Sequence, residues 1–334
     1  MHGMAAVLAS GWAVLGGDLK TLVAAFIVGI AVGITGMGGG ALMTPALILL
    51  GVANPSTVVT ADLTAAAVYK SGGAAVHWRH GAPNLALAGW LVLGSVPMAL
   101  LGPQLLARLT PAGVDPARAL TLSIGFALLL AASTYVLRLA LQLSRSRSGA
   151  VQPAEPRIRP VPTVLVGALG GLLVGITSVG SGSVIMIALL MLYPGLPALR
   201  LVGTDLVQAV PLVMAAAVSN ILAHGLDLGV TLPLIAGSVP GALLGARLAP
   251  RVPTSLIRRG IVIVLTMSGL ALLDKAGWAP LGSGSDQTHP ILIGIVGLAL
   301  AAAMPLAWGL VRRRMGLPAH SRPWYGRRQA ARSG

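Results

Sequence analysis

Long apolar stretches, separated by short polar segments, occupy most of the chain. A helix needs about 20 consecutive apolar residues to cross the hydrocarbon core of a bilayer. The uninterrupted stretches that reach this length are residues 56–78, 84–106, 116–143, 201–223, 228–249, 254–273 and 290–311. The pattern therefore predicts an all-α integral membrane protein, built as a polytopic helical bundle.

Two further apolar stretches are each broken by a run of glycine, serine and threonine. Residues 19–51 contain Thr-Gly-Met-Gly-Gly-Gly at 35–40, and residues 161–193 contain Thr-Ser-Val-Gly-Ser-Gly at 177–182. We name residues 35–40 the first turn and residues 177–182 the second turn. At ~1.5 Å of rise per residue, the piece that follows the first turn covers roughly half of a bilayer core. Each broken stretch thus predicts a re-entrant-like hairpin.

The two broken stretches belong to an internal duplication. Val-Gly-Ile-Thr precedes both turns, Asp-Leu at 62–63 recurs at 205–206, and Gly-Ser-Val-Pro at 94–97 recurs at 237–240. We predict two inverted structural repeats, each a broken hairpin followed by three spanning helices, and one extra C-terminal spanning helix. The predicted segments are an N-terminal segment 1–18, a first repeat 19–143, a linker 144–160, a second repeat 161–275, an external loop with the last span 276–312, and a basic tail 313–334.

Basic residues are distributed unevenly between the two sides of this topology. When each hairpin crosses the membrane twice or not at all, most arginines fall on the side of the linker and the tail. The other side holds Lys20, Arg108, Arg118 and Lys275. The positive-inside rule then predicts that the linker and the C-terminus are cytoplasmic and that the N-terminus is external.

The composition narrows the possible functions. The chain is 55% hydrophobic and 9% charged, with a mean hydropathy of +0.86, whereas soluble domains have about 25% charged residues. The net charge of +15 does not indicate a nucleic-acid-binding protein, because the arginines lie at span edges and in the tail. We expect the tail to contact anionic lipid. With no cysteine, and no histidine inside an apolar stretch, the sequence predicts no cofactor, no metal site and no enzyme.

The two turns form the candidate substrate site. Non-helical backbone at membrane depth is tolerated where it is buried in protein or lines a cavity, and secondary transporters with inverted repeats bind their substrates near the midplane. Glycine lets a ligand approach the backbone, hydroxyl groups donate hydrogen bonds, and the helix that follows each turn presents a positive dipole end that suits an anion. The predicted substrate-binding residues are Thr35, Gly36, Gly38, Gly39, Gly40, Thr177, Ser178, Gly180, Ser181, Gly182 and Lys70.

Other glycines have a simpler interpretation. Gly29 and Gly33 are four residues apart, as are Gly241 and Gly245, and a similar series runs from Gly167 to Gly175. Small residues at this spacing let membrane helices approach closely. We predict that these glycines serve helix packing.

Asp62, Lys70 and Asp205 are the charged residues inside apolar stretches that we single out. A charge at membrane depth is costly unless it has a partner or a function. Lys70 can neutralise a bound anion or pair with either aspartate. Two ionised aspartates with one lysine would leave a negative site, so we expect at least one aspartate to be paired or protonated when the anion binds. Proton coupling is one consequence. The alternative is a structural ion pair that holds the repeats together.

These residues resemble the sulfite exporter TauE/SafE family of membrane permeases. The resemblance lies in the run from Gly33 to Gly40 with Thr44-Pro45, in residues 59–63 with Lys70, and in the second copies at 175–182 and 203–206. It implies a permease for small anions such as sulfite and other sulfur oxyanions or organosulfonates. The expected direction of transport is primarily export. It also implies a bacterial cytoplasmic (inner) membrane. The second turn has serines where the family pattern has glycines, so the two turns need not have equal roles.

Two alternatives remain open at this point. One is an anion channel of the same architecture, and the other is a membrane scaffold that acts through its basic tail. The direction of transport is also open. An inside-negative potential drives a lone anion out of the cell, whereas uptake needs a coupling ion, for which Asp62 and Asp205 are the candidate sites.

Overall fold

The computed structural model describes residues 2–35, 39–80, 83–147, 158–180, 182, 184–193, 195–196, 198–248, 251–252, 254–278, 294–296 and 299. This part of the chain is helical and contains no β-strand. Its α-helices are α1 (His2–Thr35), α2 (Met43–Leu49), α3 (Pro55–His80), α4 (Leu85–Leu109), α5 (Pro116–Arg147), α6 (Pro160–Thr177), α7 (Val184–Leu192), α8 (Ala198–His224), α9 (Leu228–Leu248) and α10 (Thr254–Lys275). A 3-10 turn, Gly39–Ala41, precedes α2.

Several of these helices are long and apolar enough to cross a membrane. Five meet this condition within α4, α5, α6, α8 and α9, and Leu19–Thr35 with Gly39–Leu49 adds a sixth if this pair is counted as one span. The prediction of an all-helical, multi-pass membrane protein is therefore confirmed. Six of the predicted uninterrupted stretches coincide with α3, α4, α5, α8, α9 and α10, while the stretch at 290–311 lies almost wholly outside the described residues.

Both predicted hairpins are broken where the turns were placed. Between Leu19–Thr35 and Gly39–Leu49 the chain bends by 114°. The helices that follow the turns, α2 and α7, have 7 and 9 residues, far fewer than a full span needs. Helix α1 has 34 residues and includes most of the predicted N-terminal segment 1–18. The division of the chain into the predicted segments stays a prediction.

The closest helix pairs join the two halves of the chain. α1 packs along α9, and α4 packs along α6. By the sequence duplication, α6 is the counterpart of α1 and α9 is the counterpart of α4, so each half contributes one helix to each pair. The pairs α3 with α8 and α5 with α10 also join counterparts. The inversion of the second half across the membrane stays a prediction.

Glycines make this close approach possible. A Cβ added at Gly29 would lie 2.8 Å from the Ser238 carbonyl oxygen, and one at Gly175 would lie 2.5 Å from that of Ala99. These neighbours are backbone atoms, which cannot rotate aside. The packing function predicted for the regularly spaced glycines is confirmed. The glycines at the two contacts are Gly29, Gly33, Gly237, Gly241 and Gly245 for α1 with α9, and Gly94, Gly102, Gly167, Gly171 and Gly175 for α4 with α6.

Helix α3 lies inside this bundle and carries the first of the internal charges. Its residues from Val58 to Leu63 are buried, including Thr60 and Asp62. Such a polar stretch is tolerated because α3 packs against α8 and α9. The fold thus places the intramembrane aspartate in the protein interior, beside both turns.

Candidate functional site

The second turn begins where α6 ends. Ser178 takes the left-handed backbone conformation, with a φ of 60°, which is unfavourable for a residue other than glycine. Its N–H donates to the Val174 carbonyl oxygen at 2.8 Å and so closes α6. Gly180, with a φ of 119°, turns the chain towards α7, whose Val184 N–H donates to the Gly180 carbonyl oxygen at 3.1 Å. The sequence Ser-Val-Gly therefore forms a defined corner that directs the Ser178 side chain into the protein.

The first turn is attached to α3. The Gly39 N–H donates to the Tyr69 hydroxyl oxygen at 2.6 Å. Gly39 and Gly40 are both buried, and the Leu42 N–H closes the 3-10 turn by donating to the Gly39 carbonyl oxygen at 2.9 Å. The end of the first turn is thus fixed against the helix that carries Asp62 and Lys70.

Asp62 joins the two turns. Its Oδ2 accepts a hydrogen bond of 2.7 Å from the Thr44 hydroxyl on α2, and a second bond of 2.7 Å from the Ser178 hydroxyl in the second turn. Asp62 is only 1% exposed. This carboxyl group therefore links residues from both halves of the chain.

The turns also touch directly. A Cβ added at Gly40 would collide with the Ser178 backbone, 2.6 Å from its carbonyl carbon. One added at Gly39 would lie 2.9 Å from Asp62 Oδ1 and 2.5 Å from the Tyr69 hydroxyl oxygen. In this conformation, the absence of side chains at Gly39 and Gly40 therefore lets both turns close around the Asp62 carboxylate.

Lys70 and Asp205 complete the set of internal charges. Lys70 interacts electrostatically with both Asp205 and Asp62. Asp205 is 7% exposed, and its Oδ1 accepts a bond of 2.9 Å from the Gln208 amide one turn further along α8. All three predicted internal charges thus face one region between α3 and α8.

The other predicted site residues have different partners. The Thr35 hydroxyl donates to the Val32 carbonyl oxygen, and the Thr177 hydroxyl donates to that of Leu173 and accepts from the Val179 N–H. These hydroxyls therefore help to end α1 and α6. Gly180 is buried and Gly182 is half-buried, whereas Gly36, Gly38 and Ser181 lie outside the described residues.

The sequence analysis assigned no site role to Thr44, Tyr69 or Gln208, although Thr44 is among the residues that carry the family resemblance. Each could have been noticed as a polar side chain within an apolar stretch near a predicted charge or turn. Gln208 follows Asp205 by one helical turn, and Tyr69 precedes Lys70. Thr44 follows the first turn closely, but its contact with Asp62 depends on the fold.

The arrangement is that of a helical membrane protein in which two broken hairpins meet at buried, oppositely charged groups. Residues 21–272 match the family model described as sulfite exporter TauE/SafE. The chain belongs to this family, whose name denotes a membrane transporter rather than an enzyme. The resemblance noted from the sequence is confirmed.

Two relatives carry transporter names. The chain is 35% identical over 257 residues to the probable membrane transporter protein YjnA of Bacillus subtilis, covering 77% of this chain and 100% of the relative. It is 26% identical over 253 residues to the probable membrane transporter protein YdhB of the same organism, covering 74% and 97% of the two chains. No solved structure matches the chain.

Proposed function

We propose that this protein is a permease for small anions, foremost sulfur oxyanions or organosulfonates. It alternates access between two inverted repeats in a bacterial cytoplasmic membrane, with the linker and the C-terminus in the cytoplasm. The family and the names of its relatives support a membrane transporter with a small substrate. The nature of the substrate rests on the chemistry at the two turns.

The observation that carries the proposal is the contact of the two turns at Asp62. Ser178 and Thr44 donate to one carboxylate from opposite halves of the chain. Hydroxyl donors that converge on a carboxylate are equally suited to the oxygens of a sulfonate or sulfite group, since both ligands are anionic acceptors. A site that is shared between two repeats opens to either side of the membrane when the repeats rock against each other.

Lys70 supplies the positive charge that such a site needs. It lies on α3, the helix of Asp62, and it interacts electrostatically with both aspartates. When an anion enters, the Lys70 ammonium group can interact with the substrate as well as with the aspartates. The proposed substrate-binding residues are the two turns with Lys70, and the bond network adds Thr44 and Tyr69.

Anion counterflow in proteoliposomes tests the proposal. Labelled sulfite is exchanged against unlabelled sulfite, sulfate, thiosulfate, sulfoacetate, acetate or chloride. Saturable exchange, competed by the sulfur anions and not by acetate or chloride, is expected. Lys70→Ala should lower the exchange rate by about ten- to a hundredfold, as the loss of a charged hydrogen-bond donor implies.

Lys20→Ala is the matched control, because Lys20 is exposed on α1 and far along that helix from the first turn. It should exchange sulfite like the unchanged protein. Conductance without exchange would instead indicate an anion channel. Absence of exchange in folded protein would contradict the proposal and favour a scaffold, whose function deletion of residues 313–334 should abolish.

A further inference from the structure

We propose that Asp62 is a tethered competitor of the substrate: its carboxylate occupies the anion's hydroxyl donors until a proton neutralises it, so that one proton moves with each anion. This inference rests on the proposed function and deepens it, since it assigns the coupling ion and its site. It also selects Asp62 over Asp205.

Asp62 accepts the same kind of hydrogen bonds that a bound anion would accept. A single oxygen, Oδ2, accepts from both Thr44 and Ser178, and the Asp62 side chain is buried where the two turns meet. A substrate oxyanion that binds between the turns needs these same two hydroxyl hydrogens. While the carboxylate is ionised, substrate and Asp62 therefore compete for the same donors, and their negative charges repel each other.

The surrounding charges strengthen the competition between the Asp62 carboxylate and the substrate. Among the described residues, Tyr69 and Lys70 on its own helix interact electrostatically with Asp62, and Asp205 on α8 interacts with Lys70. Thr44 on α2 and Ser178 in the second turn carry no charge. Lys70 interacts electrostatically with both Asp205 and Asp62. Once Lys70 and Asp205 balance each other, the net charge of the region is the charge of Asp62.

Protonation of Asp62 ends this competition. The proton comes from water on the side to which the site is open, and it binds the Asp62 carboxylate to give a neutral carboxylic acid. The Thr44 and Ser178 hydroxyls are then released to donate to the anion, and Lys70 can face the anion without a second uncompensated carboxylate. When the site opens to the other side, anion and proton leave together, and the hydroxyls return to Asp62.

The two halves differ in the residues around their aspartates. Asp205 accepts a hydrogen bond from Gln208 on its own helix. In the sequence duplication, Ser178 corresponds to Gly36, which has no hydroxyl group to offer. The two halves are therefore unequal at the site, and a single proton accompanies each anion.

The test measures anion movement driven by a pH gradient in proteoliposomes with the membrane potential held at zero. The probe is labelled sulfoacetate or thiosulfate, whichever gives counterflow with the unchanged protein, because neither changes its protonation between about pH 6 and about pH 8. An acidic exterior should accumulate the anion inside by about tenfold per pH unit, since one proton accompanies it. Asp62→Asn, which is permanently neutral, should lose accumulation, and any counterflow that it shows should be independent of pH. Asp115→Asn, in an exposed loop, should behave like the unchanged protein.

The outcomes separate this inference from the proposed function. No counterflow of any sulfur anion by the unchanged protein overturns the proposed function. Counterflow without accumulation in a pH gradient overturns proton coupling alone, as does accumulation that persists in Asp62→Asn. If Asp62→Asn does not fold, proton uptake by the unchanged protein tests the inference instead. Adding sulfoacetate or thiosulfate to weakly buffered protein in detergent should remove about one proton from solution per anion bound, and no uptake contradicts the inference.

Discussion

The glycine contact between α4 and α6 allows a quantitative prediction. A Cβ at Gly94 would lie 2.9 Å from the Ala168 nitrogen and from the Val164 carbonyl carbon, and closer still to the Val164 carbonyl oxygen. All three atoms are backbone, so Gly94→Ala must push the helices apart. Overpacking of this kind costs about 1–3 kcal/mol, and a separation of ~0.5–1 Å loses a quarter to a half of each dispersion contact along the interface.

The same helix provides a matched control. Gly89 lies five residues earlier on α4, and a Cβ added there would meet nothing within 4 Å. Gly89→Ala should therefore be neutral to slightly stabilising, within about 1 kcal/mol, because alanine favours a helix over glycine. The two variants introduce the same methyl group into one helix and differ only in what it meets.

Thermal unfolding in detergent at a fixed scan rate measures the difference. At about 2–4 °C per kcal/mol for chains of 150–250 residues, the midpoint for Gly94→Ala should fall by about 2–12 °C, and somewhat less in this longer chain. Circular dichroism follows the loss of helix. Equal midpoints for Gly94→Ala and Gly89→Ala would refute the close backbone contact between α4 and α6.

Three further predictions concern hydrogen bonds outside the turns. Tyr193→Phe removes the hydroxyl that bonds to Thr163 and to the Arg159 N–H, and it should lower the free energy of unfolding by about 1–3 kcal/mol, measured as a lower thermal midpoint. Lys275→Met removes the bond of 2.7 Å from its ammonium group to the Ile48 carbonyl oxygen near the end of α2. It should slow sulfite counterflow, since α2 carries Thr44, and it should lower the thermal midpoint only slightly. Asn220→Ala leaves the buried Gly175 carbonyl oxygen without its donor on α8 and should cost about 1–3 kcal/mol in thermal or chemical unfolding. For each variant, an unfolding or transport measurement equal to that of the unchanged protein contradicts the assigned bond.

The helical fold and its breaks could be predicted from the sequence because they depend on local properties. Apolar length sets the spans, and a run of small polar residues ends a helix wherever it stands. The spacing of Gly29 and Gly33 likewise indicated a packing surface. Which helix covers that surface is a property of the whole bundle, so the pairing of α1 with α9 is not visible in either segment alone.

The candidate site could be predicted in its parts but not in its connections. Asp62 was selected as an internal charge and Ser178 as a turn residue, by separate arguments. Their hydrogen bond joins positions 116 residues apart, and no periodic pattern in the sequence indicates such a contact. Tyr69 was missed for the same reason, because its role follows from the position of Gly39 rather than from its own neighbours in sequence.

The claim that an anion binds where the two turns meet can be tested by thiol labelling, because the chain contains no cysteine. Ser178→Cys places a single thiol at the meeting point, and Ala112→Cys places one in an exposed loop as control. The measurement is the alkylation rate in protein that exchanges sulfoacetate. At a concentration about ten times the dissociation constant, sulfoacetate should slow alkylation in the first variant by about tenfold and leave the control unchanged. An unchanged rate in Ser178→Cys would show that the anion binds elsewhere.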